Sequence, residues 1–301
     1  MSRCEIPVAV LLPRIAAVFL CALLLLPSPR RAEGAAPGAA APLPPEETYT
    51  YDIDFFFLKS VAEGTIRLRR VSRLGYRAEL VAETRGIIGF LTSYRKNQYI
   101  SEMDYDPGRG RFFARRYTKA IHRGKNISKT TMEIDAESRA VRWATFYNDK
   151  LREKGSEPIP PGVAYEDLLS AFFNFRRGAL GSLEKGSRFT IVTLPAYDIP
   201  KGEREEGESL ARDFEVRVAD PATELSYRKS YGRTGEPGLL VLVKVPKELF
   251  GQETGEVRVW FNPALTPVSA TVERAYYFGD VHGTLRKSEI GAPPRLGGDG
   301  R

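Results

Sequence analysis

The sequence predicts a mainly β protein: an antiparallel open barrel or curved-sheet sandwich capped by one or two short helices. Three observations predict it. Apolar residues recur with period two in seven separated stretches, the pattern of strands with one wet and one dry face. Only two stretches show helical spacing. At 301 residues and 42% apolar content, the chain can bury a sizeable core and is too apolar to be disordered.

The elements follow in chain order. Residues 1–32 read as a secretory signal. Arg3 and Arg14 precede an apolar run, Ile15 to Leu26, that ends at Pro27, Pro29, Arg30 and Arg31. The run is shorter than the about 20 residues that span a bilayer as a helix. A buried core helix is the other reading, and the abrupt stop disfavours it. Leu20 before Cys21 is too large for lipid attachment. The cleavage site is poorly defined and extends up to residue 40, where Gly38-Ala39-Ala40 fits a small-x-small rule. Cleavage removes both Cys4 and Cys21, so thiol chemistry is excluded from the exported chain. It also removes four Arg and one Glu, and the net charge falls from +7 to +4. No later stretch is apolar enough for a membrane-spanning helix.

Residues 33–47, rich in Ala, Pro and Gly, read as a flexible linker. A single β-rich domain follows over 48–290, and 291–301 form a tail. Tyr49, Tyr51, Ile53, Phe55 and Phe57 alternate with Thr50, Asp52, Asp54 and Phe56, which predicts one strand with Phe56 on its polar face. Further strands are read around Ile66 and Leu68, Tyr76 to Ala82, Met132 and Ile134, Phe214 to Val218, Val257 to Phe261 and Val268 to Val272. Tyr165, Leu168, Leu169, Phe172 and Phe173 fall at helical spacing within Ala164 to Arg177, with Gly178 placed as a C-cap. Ile87 to Arg95 is a shorter helix candidate. Both are expected to cap open ends or edges of the sheet. Lys201 to Ser209, with four Glu, reads as a solvated loop.

No catalytic constellation stands out. The exported chain has two histidines, His122 and His282, without ligand-type neighbours, so no metal or other cofactor is expected. Gly181 to Gly186 has phosphate-loop glycine spacing, but Ser187 stands where Lys is needed. Asp52 with Asp54, and Asp104 with Asp106, are the carboxylate pairs a hydrolase could use. Their polar-face positions favour simple solvation.

Charge is the most unusual feature. Pro107 to Thr131 contains no acidic residue and carries Arg109, Arg111, Arg115, Arg116, Lys119, Arg123, Lys125 and Lys129. These eight are candidates for binding an anionic surface, and a solvated hairpin face is the plainer reading. The export signal argues against nucleic acid. The 16 Phe and 14 Tyr could line a lipid-sized cavity or fill a core.

Several motifs together resemble a bacterial envelope family, domain of unknown function family 3108. They are Asp167-Leu168-Leu169-Ser170-Ala171-Phe172-Phe173 with Arg176, then Val257-Arg258-Val259-Trp260-Phe261 with Pro267-Val268, and Gly279-Asp280-Val281-His282-Gly283-Thr284-Leu285. An opening strand that turns at Glu63-Gly64 matches in style. The similarity runs from Tyr49 to Leu285. It singles out Asp167, Phe172, Arg176, Trp260, Pro267, Gly279 and Gly283 as motif positions of unknown role. It implies an exported protein of Gram-negative bacteria with no established activity. By analogy of fold it also implies an open β-barrel of the kind that carries lipids or lipoproteins across the periplasm. The expected function is therefore non-catalytic binding of a lipidic or apolar ligand in the periplasm. An assembly factor that binds an envelope protein is the alternative, and a hydrolase of envelope polymers is a minor one.

Overall fold

The computed structural model describes residues 46–195, 213–244, 255–275 and 279–291. The signal, the linker up to residue 45, the acidic stretch Lys201 to Ser209 and the tail beyond 291 lie outside the described residues.

Fourteen strands form one antiparallel sheet. They are β1 (Glu46–Phe55), β2 (Leu58–Arg70), β3 (Gly75–Thr84), β4 (Lys96–Asp106), β5 (Arg111–Arg123), β6 (Asn126–Asp135) and β7 (Ala140–Tyr147). Then come β8 (Lys150–Pro158), β9 (Arg188–Ile191), β10 (Phe214–Val218), β11 (Leu239–Lys244), β12 (Glu256–Phe261), β13 (Pro267–Ala275) and β14 (Gly279–Ile290). The order is a meander from β8 back to β1, then β14 down to β9. Its one non-sequential pairing joins β1 to β14, with Ile53 opposite Gly283. β1 and β14, the first and last of the described strands, therefore lie side by side within the sheet, and β8 and β9 are its edges. Residues 159–167 run between these edges. Ile159 N–H donates to Arg139 O at 2.7 Å, and Glu166 pairs with β9's end through Val192 and Leu194. The open-barrel reading holds: the described strands all belong to one antiparallel sheet.

Period-two alternation decides the inner face. Tyr49, Tyr51, Ile53, Ile66, Leu68, Ala78, Leu80, Tyr99, Met103, Val257, Val259 and Phe261 join one buried cluster. Each fully buried apolar side chain of Val to Phe size contributes about 1.5–3 kcal/mol.

Among the described residues three helices accompany the sheet: α1 (Gly86–Leu91), α2 (Leu168–Arg176) and α3 (Pro221–Ser230). The long helix was expected as a cap on an end or edge. The structure places α2 on the inner face, against β3, β4 and β5, with every residue from Leu168 to Phe175 buried. A helix apolar all round belongs inside, and the sequence LLSAFFNF is of that kind. Gly178, at φ +68, ends it as expected. α1 is shorter than Ile87 to Arg95. α3 was not anticipated. It carries an Asp220 N-cap and Pro at its first turn, and it covers Trp260 on the outer face.

Two turn expectations are corrected. β1 ends at Phe55, and Phe56 (φ +53) with Phe57 forms the hairpin turn, so neither lies on a strand face. β2 passes straight through Glu63 and Gly64, where Gly64 lies opposite Tyr51 and Ala82. The alternation misled because an aromatic run can read equally as strand or tip.

The meander gives the sheet two ends. The connections β1–β2, β3–β4, β5–β6 and β7–β8 lie at one, called here the tip end. The turns β2–β3, β4–β5 and β6–β7 lie at the other.

Candidate functional site

α2 is fixed in the sheet by buried polar groups, and two family-motif positions, Asp167 and Arg176, are among them. Asp167 caps the helix: its Oδ1 accepts the amides of Leu169 (2.7 Å) and Ser170 (2.9 Å). Ser170 Oγ accepts the Asp167 amide in return, completing a capping box. Ser101 on β4 donates to Asp167 Oδ2 at 2.5 Å. Burial pushes the Asp167 carboxyl up to about 7, against the pull of those hydrogen bonds. Burial also raises Glu166, which holds Arg111 at 2.5 Å and Asn174 at 2.9 Å. Asn174 then imitates a strand neighbour of Phe112, accepting its amide at 2.6 Å and donating to its carbonyl at 2.8 Å. At the helix's other end Arg176 pairs with Glu47 at 2.7 Å and donates to Tyr49 Oη at 2.8 Å and Leu265 O at 3.2 Å. Its guanidinium lies 5.4 Å from the centre of the buried Phe172 ring. Asp167 and Arg176 are thus the two ends of a latch. With Asp167 only 1% exposed, its raised pKa is a cost of burial and offers no substrate an approach.

The remaining motif positions serve the sheet. Trp260 is buried under α3, stacked on Tyr227 at 6.0 Å with the Arg228 guanidinium at 4.4 Å. Pro267 opens β13, and its carbonyl accepts the Tyr51 hydroxyl at 3.1 Å. Gly279 opens β14, and Gly283 sits between Ile53 and Ala270.

The structure does not gather the eight basic candidates. They run the length of β5 and its flanking turns. Arg109 faces Asp106 at 3.7 Å, Arg111 pairs with Glu166, Arg115 with Asp104 at 2.9 Å, and Arg116 with Glu133 at 2.8 Å. Lys119 falls in register with the buried Tyr99 and Thr130 and is engaged there. Arg123, Lys125 and Lys129, at the tip end, form no ion pair among the described residues. The hydrolase-type carboxylates are likewise engaged: Asp52 with Arg286 at 3.0 Å, Asp54 with Lys59 at 2.8 Å, and Asp104 and Asp106 as above. His282 contacts Thr271 Oγ1 through Nδ1 at 2.8 Å, and burial lowers its pKa. Among the described residues no group of three or more His, Cys, Asp or Glu could hold a metal ion. No helix among them is long and apolar enough to cross a membrane.

The tip end is where exposed apolar side chains collect. Among the described residues, ten of the fifteen exposed large apolar side chains lie on or beside these four connections. Phe56, Phe57 and Leu58 form the β1–β2 turn. Ile87, Phe90, Leu91 and Tyr94 come from α1 and the residues after it. Ile127 follows the β5–β6 turn, and Tyr147 and Leu151 flank the β7–β8 turn. Ile87 is 79% exposed, and Phe57 and Phe90 are each 73% exposed. Backbone bonds tie neighbouring connections together: Gly124 N–H to Ser93 O at 3.0 Å, and Asn148 N–H to Ile127 O at 2.8 Å. Sequence reasoning flagged Phe56 and three of the basic residues here. It missed α1's outward apolar face, although Ile87, Phe90 and Leu91 share one side of a turn-length helix.

Comparison with known proteins bears out the family resemblance. A family model described as a protein of unknown function, DUF3108, matches residues 50–285. No curated protein matches the chain. A β-barrel-like protein of the domain of unknown function DUF1849 from Brucella abortus is similar at 9% identity and TM-score 0.44, over 83% of this chain and 99% of that one. The hypothetical protein CT021 from Chlamydia trachomatis is similar at 9% identity and TM-score 0.32, over 83% and 90% of the two chains.

Proposed function

The chain belongs to the DUF3108 family, whose function is unknown, and from its geometry we propose that it is a non-catalytic binding protein of the bacterial envelope that takes a lipidic or apolar ligand at its tip end. The observation that carries this reading is the asymmetry of the sheet. α2 fills the inner face with buried aromatic side chains, while exposed apolar residues concentrate at the tip connections. Exposed large apolar groups gathered at one end of a sheet, well beyond a scattered few, mark an interaction site. Support for a periplasmic location comes from the N-terminal signal pattern. Native mass spectrometry of the exported protein, purified from the periplasm without detergent, tests the proposal. A bound lipid mass that is lost in Phe56→Ser/Phe57→Ser/Phe90→Ser is expected. A lipid-free spectrum would overturn it.

The filled inner face favours a second reading, an assembly factor that holds an envelope protein at the same tips. In-cell crosslinking from the β1–β2 turn separates the two, because only the second yields a single protein adduct.

A further inference from the structure

We propose that the tip end docks on the surface of an anionic bilayer, with Phe56, Phe57 and Phe90 seated among the lipids and Arg123, Lys125 and Lys129 against the headgroups. The inference rests on the preceding reading in placing lipid at this end, and it adds the partner.

Two features of the tip end favour a bilayer over a peptide or a single protein ligand. The first is the layout. Successive tip connections are two strands apart, about 10 Å along the sheet. The exposed apolar groups are spread over four of them, so they form a rim. A rim of separate protruding tips suits a broad surface better than a groove-bound segment.

The second observation is charge complementarity. Lys96, Arg123, Lys125, Lys129, Lys150 and Arg152 stand on these connections without an ion pair among the described residues. Of the acidic groups nearby, Asp54 is taken up by Lys59 at 2.8 Å and Glu63 by Arg85 at 2.8 Å, which leaves Glu83, in register with Lys96, and Asp149 in the β7–β8 turn against those six cations. The excess at the tips is therefore positive, beside the apolar groups. That pairing is what an interfacial protein needs, since burial of apolar tips and attraction to anionic headgroups add. In the middle of β5 the arginines are neutralised by Asp104, Glu102 and Glu133, and they contribute no such field.

The opposite end supplies an internal control. At its β2–β3 turn Val71 and Leu74 are exposed beside Arg69 and Arg73, so that turn is basic with a small apolar share, while Asp106, Asp135 and Glu137 stand on or beside the neighbouring turns and Ile290 is the other exposed large apolar residue among the described ones there.

The experiment is co-sedimentation of the exported chain with vesicles of phosphatidylcholine alone and of phosphatidylcholine mixed equally with phosphatidylglycerol. Binding to the mixed vesicles only, weakened by added salt, is expected. Arg123→Glu/Lys125→Glu/Lys129→Glu should lower the apparent affinity about 100-fold, from roughly a fivefold loss per charge near the surface. Phe56→Ser/Phe57→Ser/Phe90→Ser should remove the binding that survives at high salt. Arg69→Glu/Arg73→Glu should leave binding unchanged. The proposal is overturned by absent binding to mixed vesicles, by binding indifferent to the tip variants, or by an equal loss in the control variant. Copurifying lipid with no vesicle binding overturns docking alone. Vesicle binding by a lipid-free protein overturns the ligand reading alone.

Discussion

Arg176→Ala should be among the most damaging single substitutions in the domain. The guanidinium is almost wholly enclosed, with 13% of its side chain exposed, and its partner Glu47 has 9%. It is bonded to Glu47, Tyr49 and Leu265, which ties α2 to the start of β1 and to the β12–β13 turn. Truncation leaves the Glu47 carboxylate in a poorly solvated site with only the Tyr49 hydroxyl, which donates at 2.6 Å. Removing one partner of a buried ion pair costs about 3–5 kcal/mol. In a domain of this size that lowers Tm by roughly 10 °C. The assay is urea unfolding followed by the fluorescence of Trp143 and Trp260. Arg176→Met/Glu47→Met removes both charges together and should cost less than Arg176→Ala alone. A loss below about 1 kcal/mol for Arg176→Ala, or a double variant as damaged as the sum of its singles, refutes the latch.

Other expectations follow from the same geometry. Asp167 titrates at about 7 in the folded chain and near 4 unfolded, so between these values the native state keeps a proton that the unfolded state has lost. Stability should fall as pH rises through that window and level off above it. Asp167→Asn should flatten the fall, read as urea midpoints at pH 5 and pH 8, with a residual slope from Glu166. A Cβ at Gly155 would sit 2.2 Å from Trp143 Cζ2, so Gly155→Ala should cost about 1–3 kcal/mol and shift the indole emission. An unshifted spectrum and an unchanged midpoint would contradict that packing. Phe56→Ser/Phe57→Ser should change stability by less than about 0.5 kcal/mol per site, because both rings are exposed. A large thermal destabilisation would show that the turn is part of the core.

Much of the fold was legible because period-two alternation is written by the inner face. Tyr49, Tyr51 and Ile53 are buried as their spacing predicts, and so are Val257 and Val259. The family motif could also be read, and residues 50–285 agree closely with the span from Tyr49 to Leu285. The position of α2 could not. LLSAFFNF specifies a helix and its apolarity, but the contact between Asn174 and Phe112 joins residues 62 apart. The basic run misled for a related reason. Sequence proximity counted eight positive charges together, while a thirteen-residue strand distributed them from one end of the sheet to the other. The carboxylates that neutralise three of them, Asp104, Glu133 and Glu166, come from other elements. α3 escaped because its sequence is mostly polar, and its one buried aromatic, Tyr227, serves the outer face.

The central claim is that the tip end is the lipid-facing end. In a chain that starts at residue 41, and so lacks Cys4 and Cys21, an introduced cysteine is the only thiol. Ser93→Cys at the tip end and Glu137→Cys at the opposite end, each carrying an environment-sensitive fluorophore, report which end enters lipid. On addition of vesicles containing phosphatidylglycerol, the account predicts a blue shift and intensity gain at position 93 and no change at position 137. No response at position 93, or equal responses at both positions, would contradict it.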